Sequence, residues 1–318
     1  MSHPDAAELA ALAARVPPSI RFGTSTWNYP GWRGLVYHVD YPERSPSARM
    51  LEEYARFPLF RTVGIDSSFY GPPTPATLRR YASYLPSGFP CVSKVWDRIT
   101  VHTFVKERYP TKGGEPNPEF LDADLFMKEV YEPYAQNFGD HTGPFVFEFQ
   151  AIARMEPQEF ADRLDRFLSQ LPREGQYGVE VRNSEFLSPS YLAVLREHNV
   201  AHVFNAWTRM PSIGEQVLVP GVFTAPFVVA RALLRPGRAY AEAVEAFAPY
   251  DRIREPNPRL RGDLVELIRR ALALRIPAYV LVNNRAEGNA PLTVAAVAGL
   301  LVAGSESGGT RGERPAPH

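Results

Sequence analysis

The sequence predicts a (β/α)8 barrel of the TIM type, and three observations predict it. Eight short apolar runs of strand length recur along the chain, separated by segments whose apolar residues return at spacings of three and four. Most of those segments open on a capping residue followed by proline, the signature of a helix N-cap and first helical position. The chain has 318 residues, room for a barrel of about 250 with insertions or one irregular unit. Apolar strands joined by helical crossovers imply a parallel sheet. A doubly wound open sheet competes, but no GxGxxG follows the first strand, which speaks against its dinucleotide-binding form.

Taken in order, residues 1–18 form an extension whose amphipathic helix ends at Pro17 and Pro18. The barrel domain is assigned to 19–303. Its strands are IRFGTS (20–25), RTVGID (61–66), PCVSKV (90–95), PFVFEF (144–149), YGVEVR (177–182), VAHVFN (200–205), FVVARA (227–232) and AYVLVN (278–283). Helix starts are read at Ser45–Pro46, Thr74–Pro75, Asn117–Pro118, Glu156–Pro157, Ser188–Pro189 and Asn257–Pro258. After the sixth strand, MPSIGEQVLVPGVF is a poor helix, the weakest unit. A long insertion at about 97–143 follows the third strand, and its polar part, Trp96 to Asn117, has the length of a functional lid. Residues 304–318, rich in Gly, Ser, Pro and charge, are read as a disordered tail.

Lys plus Arg and Asp plus Glu are 35 each, so the formal charge is zero and neither a nucleic-acid nor a membrane partner is expected. The single cysteine, Cys91, excludes a disulfide within the chain and fits a reducing compartment. The N-terminal stretch lacks the basic start of a secretory signal, and no apolar run reaches the roughly 18 residues of a membrane span. A cytoplasmic protein is the expectation; the oligomeric state is left open.

Alternate strand residues face into a barrel, and barrel chemistry sits where the strands end. Val179 and Val181 suit the helix-facing side of the fifth strand, so Glu180 and Arg182 point inward. Phe145, Phe147 and Phe149 do the same on the fourth, turning Glu148 and Gln150 inward. The same parity brings in Asp66, Lys94, Asn205, Arg231 and Asn283. Three acids and three bases in one barrel mouth must pair with each other, with water or with a ligand. One reading is an ion-pair network that merely fills the barrel end. The other is a polar pocket, favoured because barrel interiors are otherwise filled by branched apolar side chains. Just past the first strand, GTSTWNYPGWRG (23–34) offers Trp27, Tyr29 and Trp32. One Trp is expected to anchor the loop; Trp27 and Tyr29 are read as flat faces for a ligand.

The blocks GTSTWNYPGWRG, FRTVGIDSSFYGPPTPATLRRYASYLPSGFPCVSKVWDRITVH, GPFVFEFQ, GVEVRNSEF and VLVNNRAEGNAP, in this order and spacing, resemble the YecE-like proteins, a family of unknown function numbered seventy-two. The resemblance spans roughly Arg21 to Leu300. It implies a TIM-barrel-type fold and supplies no reaction. The chain departs from the family pattern at Gly64 and Asp66, where a VEIN-like segment is usual, and in ITVH, which is one residue longer than the usual ITH.

The function read from these residues is that of an enzyme or ligand-binding protein, hydrolase-like or lyase-like, acting on a small polar or anionic metabolite such as a sugar or phosphorylated compound. Glu148 and Glu180 form a carboxylate pair in which one keeps a proton and serves as acid; Lys94 and Asp66 complete the catalytic set. Arg182 and Arg231 are read as an anion clamp. Gln150, Asn205, Tyr70, His102, Asn283 and Asn284 are read as further ligand contacts. No cofactor is expected. The alternative is a metal-dependent hydrolase or phosphodiesterase, with a divalent metal on Asp66, Glu148, Glu180 and His102, although no HxH or HExxH spacing is present. A non-catalytic binding protein or scaffold is the remaining alternative.

Overall fold

In the computed structural model, which describes residues 4–41, 49–235 and 237–308, the eight strands form a nearly closed parallel barrel flanked by helices. They are β1 (Ile20–Thr24), β2 (Val63–Ile65), β3 (Cys91–Lys94), β4 (Thr142–Phe149), β5 (Tyr177–Val181), β6 (Ala201–Ala206), β7 (Val228–Ala232) and β8 (Ala278–Val282). The hydrogen-bonded order runs β1-β8-β7-β6-β5-β4-β3-β2, every neighbour parallel. The sheet is drawn together between β1 and β2, where Phe22 bridges Phe60 and the Arg61 N–H donates to the Phe22 carbonyl at 2.8 Å.

Two glycines permit that seam. A Cβ on Gly23 would lie 2.1 Å from the Thr62 carbonyl oxygen, and one on Gly64 would lie 2.6 Å from the Ser25 carbonyl oxygen. Both obstacles are backbone, which a rotamer change cannot remove. Gly23→Ala is therefore expected to cost about 3 kcal/mol or more, read as a lowered urea midpoint. An unchanged midpoint would mean that the seam adjusts freely.

Strand parity follows the alternation of the sequence. Phe147 and Phe149 pack on Phe167 and Phe160 of the helix Pro157–Leu168, at ring-centroid distances of 5.1 Å in both cases. Inside the barrel, Val92, Val146, Val203, Val229, Tyr279 and Leu281 belong to a second apolar cluster. Further along the strands, towards their C-terminal ends, the inward layer turns polar. Cys91 is buried in the main apolar core, and burial pushes its thiol up, so it is a packing residue.

Several helix starts fall where the cap-and-proline pattern puts them: Thr74, Ser188 and Asn257 each accept a backbone N–H three residues on. The start at Ser45–Pro46 lies outside the described residues; the helix there is described from Arg49 to Arg56. Asn117 does not cap a helix. Its side-chain amide donates to the Arg98 and Val101 carbonyls at 2.7 Å each, which holds the loop after β3, and the helix begins at Ala123 behind Asp122. A single π-turn, Met127–Tyr131, precedes Pro133, whose ring disrupts the regular helical ladder. The poor helix after β6 is one short stretch, Ile213–Val217, held by a Ser212–Glu215 capping box. A helix not anticipated, Tyr240–Phe247, follows β7. The final helix runs Ala290–Gly308, and the tail beyond it lies outside the described residues. Among the described residues, no helix is long and apolar enough to cross a membrane.

Candidate active site

Six charged side chains from the ends of β2, β3, β4, β5 and β7 meet in one cluster, three carboxylates against three cations. Arg231 stands at its centre. Its Nη1 meets Glu148 Oε2 at 2.7 Å and also Glu180 Oε2, and its Nη2 meets Asp66 Oδ2 at 2.7 Å. Arg182 Nη2 reaches Glu180 Oε1 at 2.7 Å and Glu148 Oε2 at 3.0 Å. Lys94 Nζ lies 2.9 Å from Glu148 Oε2, and Gln150 donates to Glu148 Oε1 at 2.7 Å. The strands set this up: Glu148 and Glu180 are register partners across β4 and β5, as are Asn205 and Arg231 across β6 and β7.

Burial decides how these groups behave. Glu148, Glu180, Arg182 and Arg231 are buried, whereas Lys94 keeps 11% and Asp66 27% of its side chain exposed. The network therefore opens to solvent at Lys94 and Asp66. Burial works against the Glu148 carboxylate, but Lys94, Arg182 and Arg231 together outweigh it and hold the carboxyl well below its usual range. Burial likewise opposes charge on Arg231, and Asp66, Glu180 and Glu148 reverse it. Two sequence readings change here. Glu148 is held ionised, so it is not the member of a carboxylate pair that keeps a proton. Arg182 and Arg231 are already engaged by carboxylates, so they rivet the network instead of clamping a ligand anion.

Asn205 sits behind Arg182, with Oδ1 at 3.5 Å from Nη1. Its backbone is fastened on both sides by Gln216, whose amide donates to the Asn205 carbonyl at 2.7 Å and accepts from its N–H at 3.2 Å. Gln216 also joins His202, whose imidazole is pushed down to about 4 by burial, against the hydrogen bond its Nε2 donates to Gln216 Oε1, which favours the charge; it is a neutral core group.

Other residues read as ligand contacts have structural partners. Trp27 is buried edge-on against Tyr81, 5.1 Å between ring centroids. Trp32 is the anchor: fully buried, it donates from Nε1 to Asn284 Oδ1 at 3.0 Å, and that oxygen also receives the Ala290 N–H at 2.8 Å. Asn284 thereby ties the β1 loop to the last helix. Asn283 accepts from the Arg285 N–H at 3.0 Å, a local cap. His102 contacts Thr103 and the Phe120 ring, and its pKa is lowered by burial and by Arg163 of the helix behind β4. It does not join the carboxylates, and among the described residues no group of three or more His, Cys, Asp or Glu is arranged to hold a metal ion.

Residues 21–317 match the family model described as a protein of unknown function, DUF72. The chain belongs to the DUF72 family. A DUF72 family protein of Enterococcus faecalis V583 is similar in structure, with a TM-score of 0.65 at 16% identity over 89% of this chain and 95% of the other. One from Thermotoga maritima MSB8 has a TM-score of 0.59 at 19% identity, over 90% and 99%. At these identities the likeness concerns the fold. No curated protein matches the chain.

In this DUF72 barrel the mouth also carries aromatic residues that sequence reasoning passed over. Phe69 lies under Lys94, with Nζ 3.8 Å from the ring centroid, and Trp207 lies under Arg182 at 4.1 Å. Tyr240, also passed over, is 52% exposed, and Tyr70, read from the sequence as a ligand contact, is 64% exposed. Burial pushes the Tyr29 phenol up to about 12; Arg285 opposes the rise, and Tyr250, Asp66 and Tyr240 add to it. The polar insertion reaches this rim too. Arg108 donates to the Tyr70 carbonyl and pairs with buried Asp97 at 3.0 Å, and Tyr109 bonds the same carboxylate at 2.7 Å.

Proposed function

We propose that the barrel mouth binds a small polar metabolite and performs acid–base chemistry on it, with Asp66 and Lys94 as the groups that meet the ligand. The observation that carries this reading is the placement of exposure within the network: its four inner members are buried, and only Asp66 and Lys94 open to solvent. Among the described residues Asp66 has a single cationic partner, Arg231, which leaves one carboxylate oxygen to accept a ligand proton. Lys94 has the contacts of an ammonium ion, a carboxylate on one side and an aromatic face on another, and stands ready to donate. A proton taken by Asp66 and one given by Lys94 leave the charge of the site unchanged. The inner four hold both groups in place, since preorganised charge acts without rearranging during reaction.

The test is a thermal-shift screen of the full chain against monosaccharides, polyols, sugar phosphates, small carboxylic acids and nucleosides. A ligand at about a hundred times its Kd adds roughly 2.7 kcal/mol of stability. Every true hit should vanish in Asp66→Asn and weaken in Lys94→Met. Hits that survive both substitutions would place the ligand elsewhere and remove this reading.

A further inference from the structure

We infer that the ligand of the barrel mouth is a neutral, hydroxyl-rich ring, of the class of an unphosphorylated monosaccharide or cyclitol. The inference rests on the site reading above and adds the substrate class to it.

Charge comes first. A phosphate or carboxylate gains most where an unengaged cation meets it. On the floor of this mouth both guanidinium heads and the ammonium already face carboxylates, three against three. An added anion would meet a neutral cluster that presents Asp66 as its most exposed charge. At the rim, Arg108 is paired with Asp97. Arg285 lies 4.3 Å over the Tyr240 ring, a single cation set against Asp66. A charge-balanced floor suits hydroxyl groups, each of which donates and accepts. Nε of Arg182 and Nε of Arg231 are buried donors with no hydrogen-bond partner. Such groups are completed by water or by ligand oxygens.

Shape comes second. Phe69 and Tyr70 after β2, Trp207 after β6 and Tyr240 after β7 bring aromatic surface to the mouth from three directions. Burial raises the pKa of the Tyr70 phenol, and Tyr240, Glu148 and Asp66 add to the rise, so all three act on this exposed ring. An apolar rim above a polar, neutral floor matches a ring with C–H faces and hydroxyl edges.

Isothermal titration of the full chain decides the point. The probes are glucose, galactose, xylose and myo-inositol; glucose 6-phosphate and glucuronate as charged counterparts; and adenosine and uridine. At least one neutral ring should bind, with its charged counterparts at least about tenfold weaker, and Tyr70→Ala and Tyr240→Ala should each weaken it several-fold. Both tyrosines are exposed, so these variants fold. Glucose 6-phosphate or glucuronate binding more tightly than glucose, with the gain lost in Arg285→Ala, would overturn the neutral class and leave the site reading standing. Binding of the nucleosides alone, abolished by Asp66→Asn, would do the same. Binding of no neutral ring overturns this inference. If, in addition, every ligand found in the wider screen survives Asp66→Asn, the site reading falls with it.

Discussion

Arg231→Met should lose about 3–5 kcal/mol of stability, the largest single-residue loss expected in this barrel. The reason lies in what the substitution leaves behind. Arg231 alone bonds Asp66, Glu148 and Glu180 together, and Glu148 and Glu180 are buried. Removing it exposes neither carboxylate to water, so Glu180 keeps only Arg182, and Glu148 keeps Lys94 and Arg182. The deficit should also depend on pH, and its sign follows from Glu148. The folded-state pKa of that group is depressed, so its contribution to stability is fully present above the unfolded carboxylate range and is lost as pH falls through it towards the folded value. Taking away one of its three cations shrinks the depression. The gap between parent and variant is therefore widest near neutral pH and narrows on acidification, because protonation relieves the variant of a charge it cannot compensate. Urea unfolding of both proteins at about pH 7 and about pH 4 measures this. A deficit of equal size at both pH values would mean that the loss comes from packing of the arginine stem, not from stranded charge.

The same network shows what a single sequence reveals and what it hides. A strand alternates with period two, so Phe145, Phe147 and Phe149 on one face turn Glu148 inward without any tertiary information, and the structure has it there. Pairing is another matter. Asp66 and Arg231 are 165 residues apart, and nothing in either neighbourhood says that one guanidinium will serve three carboxylates. That sharing is what turned a supposed anion clamp into a rivet. Asn117 marks the limit of local signals. Asn followed by Pro is a sound helix start, yet its amide is claimed by Arg98 and Val101 carbonyls that become neighbours only when the loop folds back. The aromatic rim escaped for a related reason: Phe69, Trp207 and Tyr240 sit on loops and helix starts, where no periodicity assigns a facing. Trp27 and Trp32 lie five positions apart in one loop, and only the fold made both of them core.

Replacing the network wholesale should have the opposite effect to breaking it. With Lys94→Met, Glu148→Leu, Glu180→Leu, Arg182→Leu and Arg231→Met combined, no charge remains stranded in the interior, and Asp66, already 27% exposed, is left to water. Apolar groups of similar volume avoid the desolvation of five charged groups, so this variant is expected to be as stable as the parent or more stable by about 1–4 kcal/mol. The apolar layer already formed by Val92, Val146, Val203, Val229 and Leu281 would simply extend to the barrel end. The single loss and the combined gain cannot both come from additive contributions; they follow only if the residues act as one unit. Ligand binding should disappear in the same variant. A more stable barrel that no longer binds would mean that the charges are kept for chemistry at a cost in stability. A combined variant as unstable as Arg231→Met would mean the reverse: the ion pairs hold the barrel end together, and their cost in stability would no longer argue for chemistry at the mouth.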